Sequence, residues 1–145
     1  MKIRPATLAD LPALLALEAH FPSDRMTPRA WRRFLTSSTA AAVVASERGA
    51  VIGNLLLLTR KRSSKARVYS VIVAPEARGR GLGEALVVAG EKAAARRGCA
   101  AVTLEVRADN PAALGLYAKR GYVQTRRLPR YYDDGADGLR LVRFL

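Results

Sequence analysis

Cysteine and histidine are almost missing from this chain, which holds one of each, Cys99 and His20. One cysteine excludes an internal disulfide, and a single histidine beside it leaves no plausible zinc set. Long apolar runs are missing too: none approaches the roughly 20 residues that span a bilayer. The start, Met1-Lys2-Ile3-Arg4-Pro5, lacks the apolar stretch and small-residue cleavage site of a secretory signal. A metal-free protein of the cytoplasm, with no membrane partner, is the expectation. Acidic residues are scarce, twelve against twenty-five Lys and Arg, for a net charge of +13. That balance draws a protein towards polyanions such as nucleic acid, acidic proteins or phosphate-rich ligands. Aromatics are also few, 6% of residues, and are not interleaved with the basic residues as a nucleic-acid stacking platform requires. The charge therefore describes a solvated basic surface first and names no partner by itself.

What is present fits one domain over residues 1–145. Half of the residues are hydrophobic, and a domain of this length buries about 68–70% of its unfolded-chain surface. Residues 3–6 make a short first strand that ends near Pro5. Thr7-Leu8-Ala9-Asp10 is a capping box that opens a helix with Leu11, Leu14, Leu15 and Ala19 on one face, interrupted at Pro22-Ser23-Asp24. Thr27-Pro28 starts a second helix, an N-cap followed by proline at the first position, with Trp31, Phe34 and Leu35 as its apolar side. Strands follow at 40–46, 51–59 and 68–74, with a turn at Glu47-Arg48-Gly49 and a basic loop over 60–65. A long helix at 81–97 stops at Gly98 after two arginines, which suit the negative end of the helix dipole. A strand at 101–107, a helix opened by Asn110-Pro111 and closed at Gly121, and strands at 122–128 and 139–144 complete the chain. There is no repeat and no linker, so the pattern is a mixed α/β domain.

Between a strand and the long helix lies Arg78-Gly79-Arg80-Gly81-Leu82-Gly83. Alternate glycines there let backbone N–H groups approach an anion closely, and the positive end of the helix adds attraction. Arg78 and Arg80 supply formal charge, so a pyrophosphate is the natural guest. Two rival phosphate loops are excluded. The GxxxxGK-Ser/Thr string of a P-loop is absent, and a dinucleotide fingerprint needs a third glycine where Glu84 stands. What remains, Arg-x-x-Gly-x-Gly opening a mid-chain helix, resembles the acetyl-CoA motif of the GNAT acetyltransferases.

The resemblance extends over residues 68–145, which look throughout like the bacterial N-terminal acetyltransferases that modify ribosomal-protein alanines. Its landmarks are Tyr69-Ser70-Val71-Ile72-Val73, the Arg/Gly turn, Leu104-Glu105-Val106-Arg107, Asn110, Leu116-Tyr117, Gly121-Tyr122 and Tyr131-Tyr132. It implies a mostly antiparallel sheet whose two central parallel strands splay apart for acetyl-CoA, with helices on both faces. The first half matches only in layout. Gly138 stands where such enzymes tend to carry alanine, and the segments 21–26 and 29–33 match that subfamily at no residue.

On strand alternation alone, Glu105 shares a face with Thr103 and Arg107, opposite Val102, Leu104 and Val106, and a mid-strand carboxylate is often just part of a solvated face. The resemblance implies instead that Glu105 faces the cleft as general base. Acetyl transfer needs one, because a lysine amine (pKa about 10.4) or an α-amine (about 7.7–8.0) is mostly protonated at neutral pH. Tyr117 is a packing aromatic by its helical position; by resemblance it lies near the CoA sulfur and protonates the departing thiolate. Asn110 caps its helix and, by resemblance, also touches the cofactor. The main chain of Val71, Ile72 and Val73 is implied to pair with the pantetheine amides, and Gly79, Gly81, Leu82 and Gly83 with Arg78 and Arg80 to hold the pyrophosphate. Trp31 is a core candidate whose helix lines the acceptor cleft in the family, and Tyr131 and Tyr132 are implied to flank an incoming peptide. His20 and Cys99 take ordinary packing roles.

The expected activity is direct acetyl transfer from acetyl-CoA to a primary amine, a protein or peptide N-terminus first. A small-molecule amine, a CoA-binding regulator, or a non-catalytic nucleic-acid-binding module that kept the fold are the alternatives. The +13 charge repels polyamines and favours an acidic peptide or an amine bearing a carboxylate.

Overall fold

The structure is a computed structural model and describes residues 1–21 and 25–145. The interruption at Pro22-Ser23-Asp24 lies outside the described residues. The described residues form seven strands, β1 (Lys2–Pro5), β2 (Ala40–Glu47), β3 (Ala50–Leu58), β4 (Lys65–Val73), β5 (Ala101–Arg107), β6 (Val123–Leu128) and β7 (Gly138–Phe144). These join in one sheet in the order β1-β2-β3-β4-β5-β7-β6. Every pairing is antiparallel except that of β4 with β5. The helices are α1 (Leu11–Glu18), α2 (Pro28–Thr36), α3 (Leu82–Arg96) and α4 (Pro111–Lys119).

Strand alternation sorts the helices onto two faces. On β3, Leu55 and Leu57 join the larger core beneath α3, with Leu82, Leu86, Val87 and Ala94. Leu56 between them points the other way, into a second core with Leu11 and Leu14 of α1 and Trp31 of α2. On β2, Val43 and Ala45 go with the first core, and Ala42 and Val44 with the second. The expected two-sided cover is therefore present.

Differences from expectation lie at element ends. β4 starts at Lys65, three residues early, because Lys65, Ala66 and Arg67 pair with Ala101, Val102 and Thr103. Gly81 is not helical but caps α3 at φ 77°, a left-handed conformation that glycine adopts without a Cβ penalty. Ala19 lies beyond α1, exposed at its C-cap. Among the described residues three carboxylates are buried with donors, and Asp10 accepts from Arg4 and the Thr7 N–H. Glu91 of α3 meets Arg120, Arg143 and the Tyr122 hydroxyl, tying α3 to β7. Desolvation opposes its charge, but the two guanidiniums and the hydroxyl outweigh it and hold the carboxyl below the usual range. Glu18 of α1 accepts from the Met26 N–H at 2.8 Å and the Trp31 indole at 2.9 Å. Trp31 is 0% exposed, so the core candidate is core, and its side chain does not line the acceptor cleft that the resemblance gave its helix.

Candidate active site

β4 and β5 pair only at Lys65, Ala66 and Arg67. Just beyond, Leu56 faces Ser70 and Leu57 faces Val68, leaving Tyr69 as an extra residue in β4. Such a bulge bends its strand, and here it sits where β4 leaves β5. Two clefts open at the splay. One, of about 300 Å³, is lined by Val71, Ile72, Val106, Asn110, Ala113 and Tyr117; we call it the α4 cleft. The other, of about 270 Å³, is lined by Arg25, Met26, Arg67 and Tyr131; we call it the arginine cleft. Val68, Tyr69, Ser70, Glu105 and Tyr132 line both.

Glu105 is the carboxylate where the clefts meet. Its side chain is 9% exposed, and its Oε1 lies 2.9 Å from the Arg67 guanidinium and 3.8 Å from that of Arg140. The Tyr131 hydroxyl stands 3.5 Å from the same oxygen. All three of these contacts fall on Oε1. The neighbours of Glu105 on its strand, Leu104 and Val106, point into the core as alternation predicts.

Tyr117 is buried on α4 and packs edge-on against Tyr122 at 5.3 Å between centroids. Burial, with a smaller contribution from Tyr132, pushes its phenol up to about 12. It is therefore a protonated donor throughout the neutral range. Asn110 does cap its helix, its Oδ1 accepting from the Ala113 N–H at 3.1 Å, and it also lines the α4 cleft.

The glycine turn presents an open helix terminus. Gly79 and Gly81 have φ of 78° and 77°. Thr27 caps α2 with its side chain and Asn110 caps α4, whereas no side chain caps α3. The first N–H groups of α3 are left for an external acceptor, which is what an anionic ligand requires. Of the two arginines, Arg78 lies over the Phe21 ring at 5.4 Å, and Arg80 is paired with Glu47 at the end of β2. Past the splay, Val71, Ile72 and Val73 pair with β3 on one side and not with β5 on the other. The Ser70 hydroxyl between the clefts is buried without a hydrogen-bond partner among the described residues. A helix terminus without a side-chain cap, a free strand edge and an orphaned hydroxyl are each suited to a ligand carrying phosphates and amides.

Trp31 reaches neither cleft. Tyr131 and Tyr132 stand at the arginine cleft, edge to face at 5.1 Å. Arg25, Arg67, Ser70 and Arg140 escape sequence reasoning. The apolar/polar alternation of 65–68 marks Arg67 as an outward side chain, but only the register places it against Glu105.

Residues 9–122 match the acetyltransferase (GNAT) family. The N-alpha-acetyltransferase MAK3 of Arabidopsis thaliana is 29% identical over 133 residues, which is 90% of this chain and 70% of the relative. The crystal structure of a ribosomal-protein-alanine N-acetyltransferase from Brucella melitensis superposes with a TM-score of 0.88 at 24% identity, covering 100% of both chains. That of Arabidopsis thaliana NAA60 in complex with acetyl-CoA gives 0.85 at 18% identity, over 99% of this chain and 98% of the other. These two likenesses are of fold. With a family match over most of its length and the splayed parallel pair that opens both clefts, this chain belongs to the GNAT acetyltransferase family.

Proposed function

We propose that the chain acetylates the N-terminal amine of a peptide or protein by direct transfer, with donor and acceptor held together. The observation that carries the reading is the place of Glu105, a nearly buried carboxylate at the junction of two clefts. Acetyl-CoA, the family's acetyl donor, brings the thioester. Its seat in this reading joins the α4 cleft to the glycine turn, where the N–H groups of Gly79, Gly81, Leu82 and Gly83 receive the pyrophosphate with Arg78 and Arg80 beside them. Val71, Ile72 and Val73 offer their free main-chain edge to the pantetheine amides, and Asn110 and Tyr117 close the wall.

The acceptor enters through the arginine cleft. Glu105 takes a proton from its ammonium group, directly or through a water. The nitrogen bonds to the acetyl carbonyl carbon and the carbon–sulfur bond breaks. Tyr117 gives its phenolic proton to the leaving sulfur, a role suited to a phenol that burial keeps protonated. The new amide nitrogen sheds its second proton, which restores the Tyr117 phenol through water, and Glu105 returns the first to solvent. A peptide suits the acceptor side because exposed Tyr69 and Tyr131 border the cleft, as flanks for an extended chain. The relative named an N-alpha-acetyltransferase is similar over most of this chain.

Acetyl-CoA consumption with peptides of varied N-termini, lysine peptides and small amines tests the reading. N-terminal peptides should turn over, and Glu105→Gln should slow them by about 10²–10⁴ with acetyl-CoA affinity retained. Turnover of small amines alone, or wild-type rates in Glu105→Gln, refutes it.

A further inference from the structure

The arginine cleft presents a conflict to any amine. Its only anionic lining residue among those described is Glu105, and Oε1 of that residue is already held by Arg67. Arg25 lines the same cleft and has no acidic partner among the described residues, and Arg140 stands 3.8 Å from Oε1. An ammonium group entering alone meets one carboxylate and several guanidiniums. Like charges brought together at an interface oppose binding, and complementary ones set which partner is accepted.

An acceptor that carries its own carboxylate removes the conflict. We infer that the preferred acceptor is a peptide amine followed at its second position by Asp or Glu, and that Arg67 and Arg25 select it. This rests on the peptide reading above. Arg67 is the pivot: its side chain is half exposed, at 47%, while the Glu105 side chain is 9% exposed. A carboxylate arriving from the cleft mouth reaches Arg67 from its open side. Arg67 then exchanges Glu105 for the acceptor carboxylate, and the base is released to the ammonium group. The two charged ends of the Arg67–Glu105 pair lie 2.9 Å apart, so amine and carboxylate need stand no further apart than neighbouring residues, about 3.8 Å between Cα atoms. In the loaded site Glu105 pairs with the ammonium group and Arg67 with the acceptor carboxylate, so neither charge of the acceptor enters without a partner. Arg67 is a positioning residue in this scheme: it acts on the amine only through Glu105.

The test uses three peptides identical except at the second position, Asp, Gln or Lys, with kcat and KM measured separately. In the wild type, kcat/KM for the Asp peptide should exceed that for the Lys peptide by about tenfold or more. Arg25→Gln should raise KM for the Asp peptide alone and leave kcat in place. Arg67→Gln should bring the three peptides within about threefold of one another, and Arg67→Lys should restore part of the order. Arg62→Gln, in the loop at the far end of the sheet, is the control for nonspecific charge loss and should keep the wild-type order. Equal kcat/KM for the three peptides in the wild type, a preference for the Lys peptide, or an order that Arg62→Gln abolishes as fully as Arg25→Gln would each overturn the inference while leaving the peptide reading standing. Acetylation of small amines with no peptide turned over overturns the peptide reading itself, and this inference with it.

Discussion

The two clefts that meet at Glu105 are built from different materials. The α4 cleft is lined mainly by consecutive residues of β4 and β5 and by one face of α4 with its cap, Asn110. The arginine cleft is assembled from long side chains of separate segments, at 25–26, 67–70 and 131–132, around Glu105. In the proposed reading, backbone groups of β4 and of the glycine turn serve what is common to every turnover, the amides and phosphates of one donor, and side chains brought together from distant segments serve what differs between acceptors. Such a division lets acceptor preference change by substitution at Arg25, Arg67 or Tyr131 without disturbing the donor seat. If it holds, variants on one side should leave the other side's binding unchanged.

The largest test strikes the support of the acceptor side. Trp31 is wholly buried and its indole, with the Met26 N–H, satisfies the buried Glu18. Trp31→Ala should cost about 3–5 kcal/mol of stability, because it leaves both a cavity and a carboxylate short of one donor. Denaturant midpoints followed by circular dichroism measure the loss. Donor binding stabilises by an amount set by its own affinity, so the extra stability conferred by acetyl-CoA should be the same in variant and wild type. A vanished increment would show that the clefts are one unit.

Tyr117→Phe comes next, with an expected loss of about 10²-fold in single-turnover acetyl transfer at unchanged donor affinity. Its pH behaviour has a definite sign. Burial raises the folded phenol to about 12, above the unfolded value near 10. Its contribution to stability is therefore complete below about pH 10 and fades as pH rises through about 12. The alkaline limb of the rate profile below about pH 11 should then have the same shape in wild type and Tyr117→Phe. A limb near pH 10 that disappears in the variant would mean an ordinary, hydrated phenol.

The same division separates what is legible in the sequence from what is not. The donor seat follows local rules: glycines at φ above zero, a helix start, Asn before Pro, and alternation that sets Glu105 against Leu104 and Val106. Each can be judged within a window of a few residues. The acceptor side depends on register. Arg67 meets Glu105 only because Arg67 pairs with Thr103 across a parallel junction. Alternation alone turns Tyr69 outward, but neither the parallel register nor the bulge that lets β4 leave β5 is encoded in a short window. Trp31 illustrates the opposite case: local signals locate its helix, but an amphipathic pattern is equally consistent with facing a core or a cleft. Glu18, thirteen residues away, decides between them by holding the indole inside.

Gly81→Val tests the donor side alone. A Cβ at this position would meet nothing within 4 Å, so the effect is conformational and not steric. Holding a non-glycine residue at φ 77° costs about 1–2 kcal/mol, and the turn relaxes by moving the N–H groups it presents. Acetyl-CoA affinity should fall about tenfold, measured by titration calorimetry, with acceptor KM unaltered.

The smallest expected effect tests the acceptor side, at a position where the chain departs from alanine. A Cβ on Gly138 would lie 3.0 Å from Tyr131 Cδ2, 3.2 Å from its Cβ and 3.3 Å from its Cγ. The missing methyl is thus the seat of the Tyr131 ring. That residue is 43% exposed, so in Gly138→Ala the ring can yield by a few tenths of an ångström instead of unfolding the strand. Its hydroxyl, 3.5 Å from Glu105, shifts with it. Acceptor KM should rise about threefold, under about 1 kcal/mol, with kcat and acetyl-CoA affinity within error of wild type. A change confined to kcat would place Tyr131 with the base and not with the acceptor. A change in acetyl-CoA affinity would show that the wall between the two clefts passes information, and that the donor seat is not independent of what the acceptor side selects.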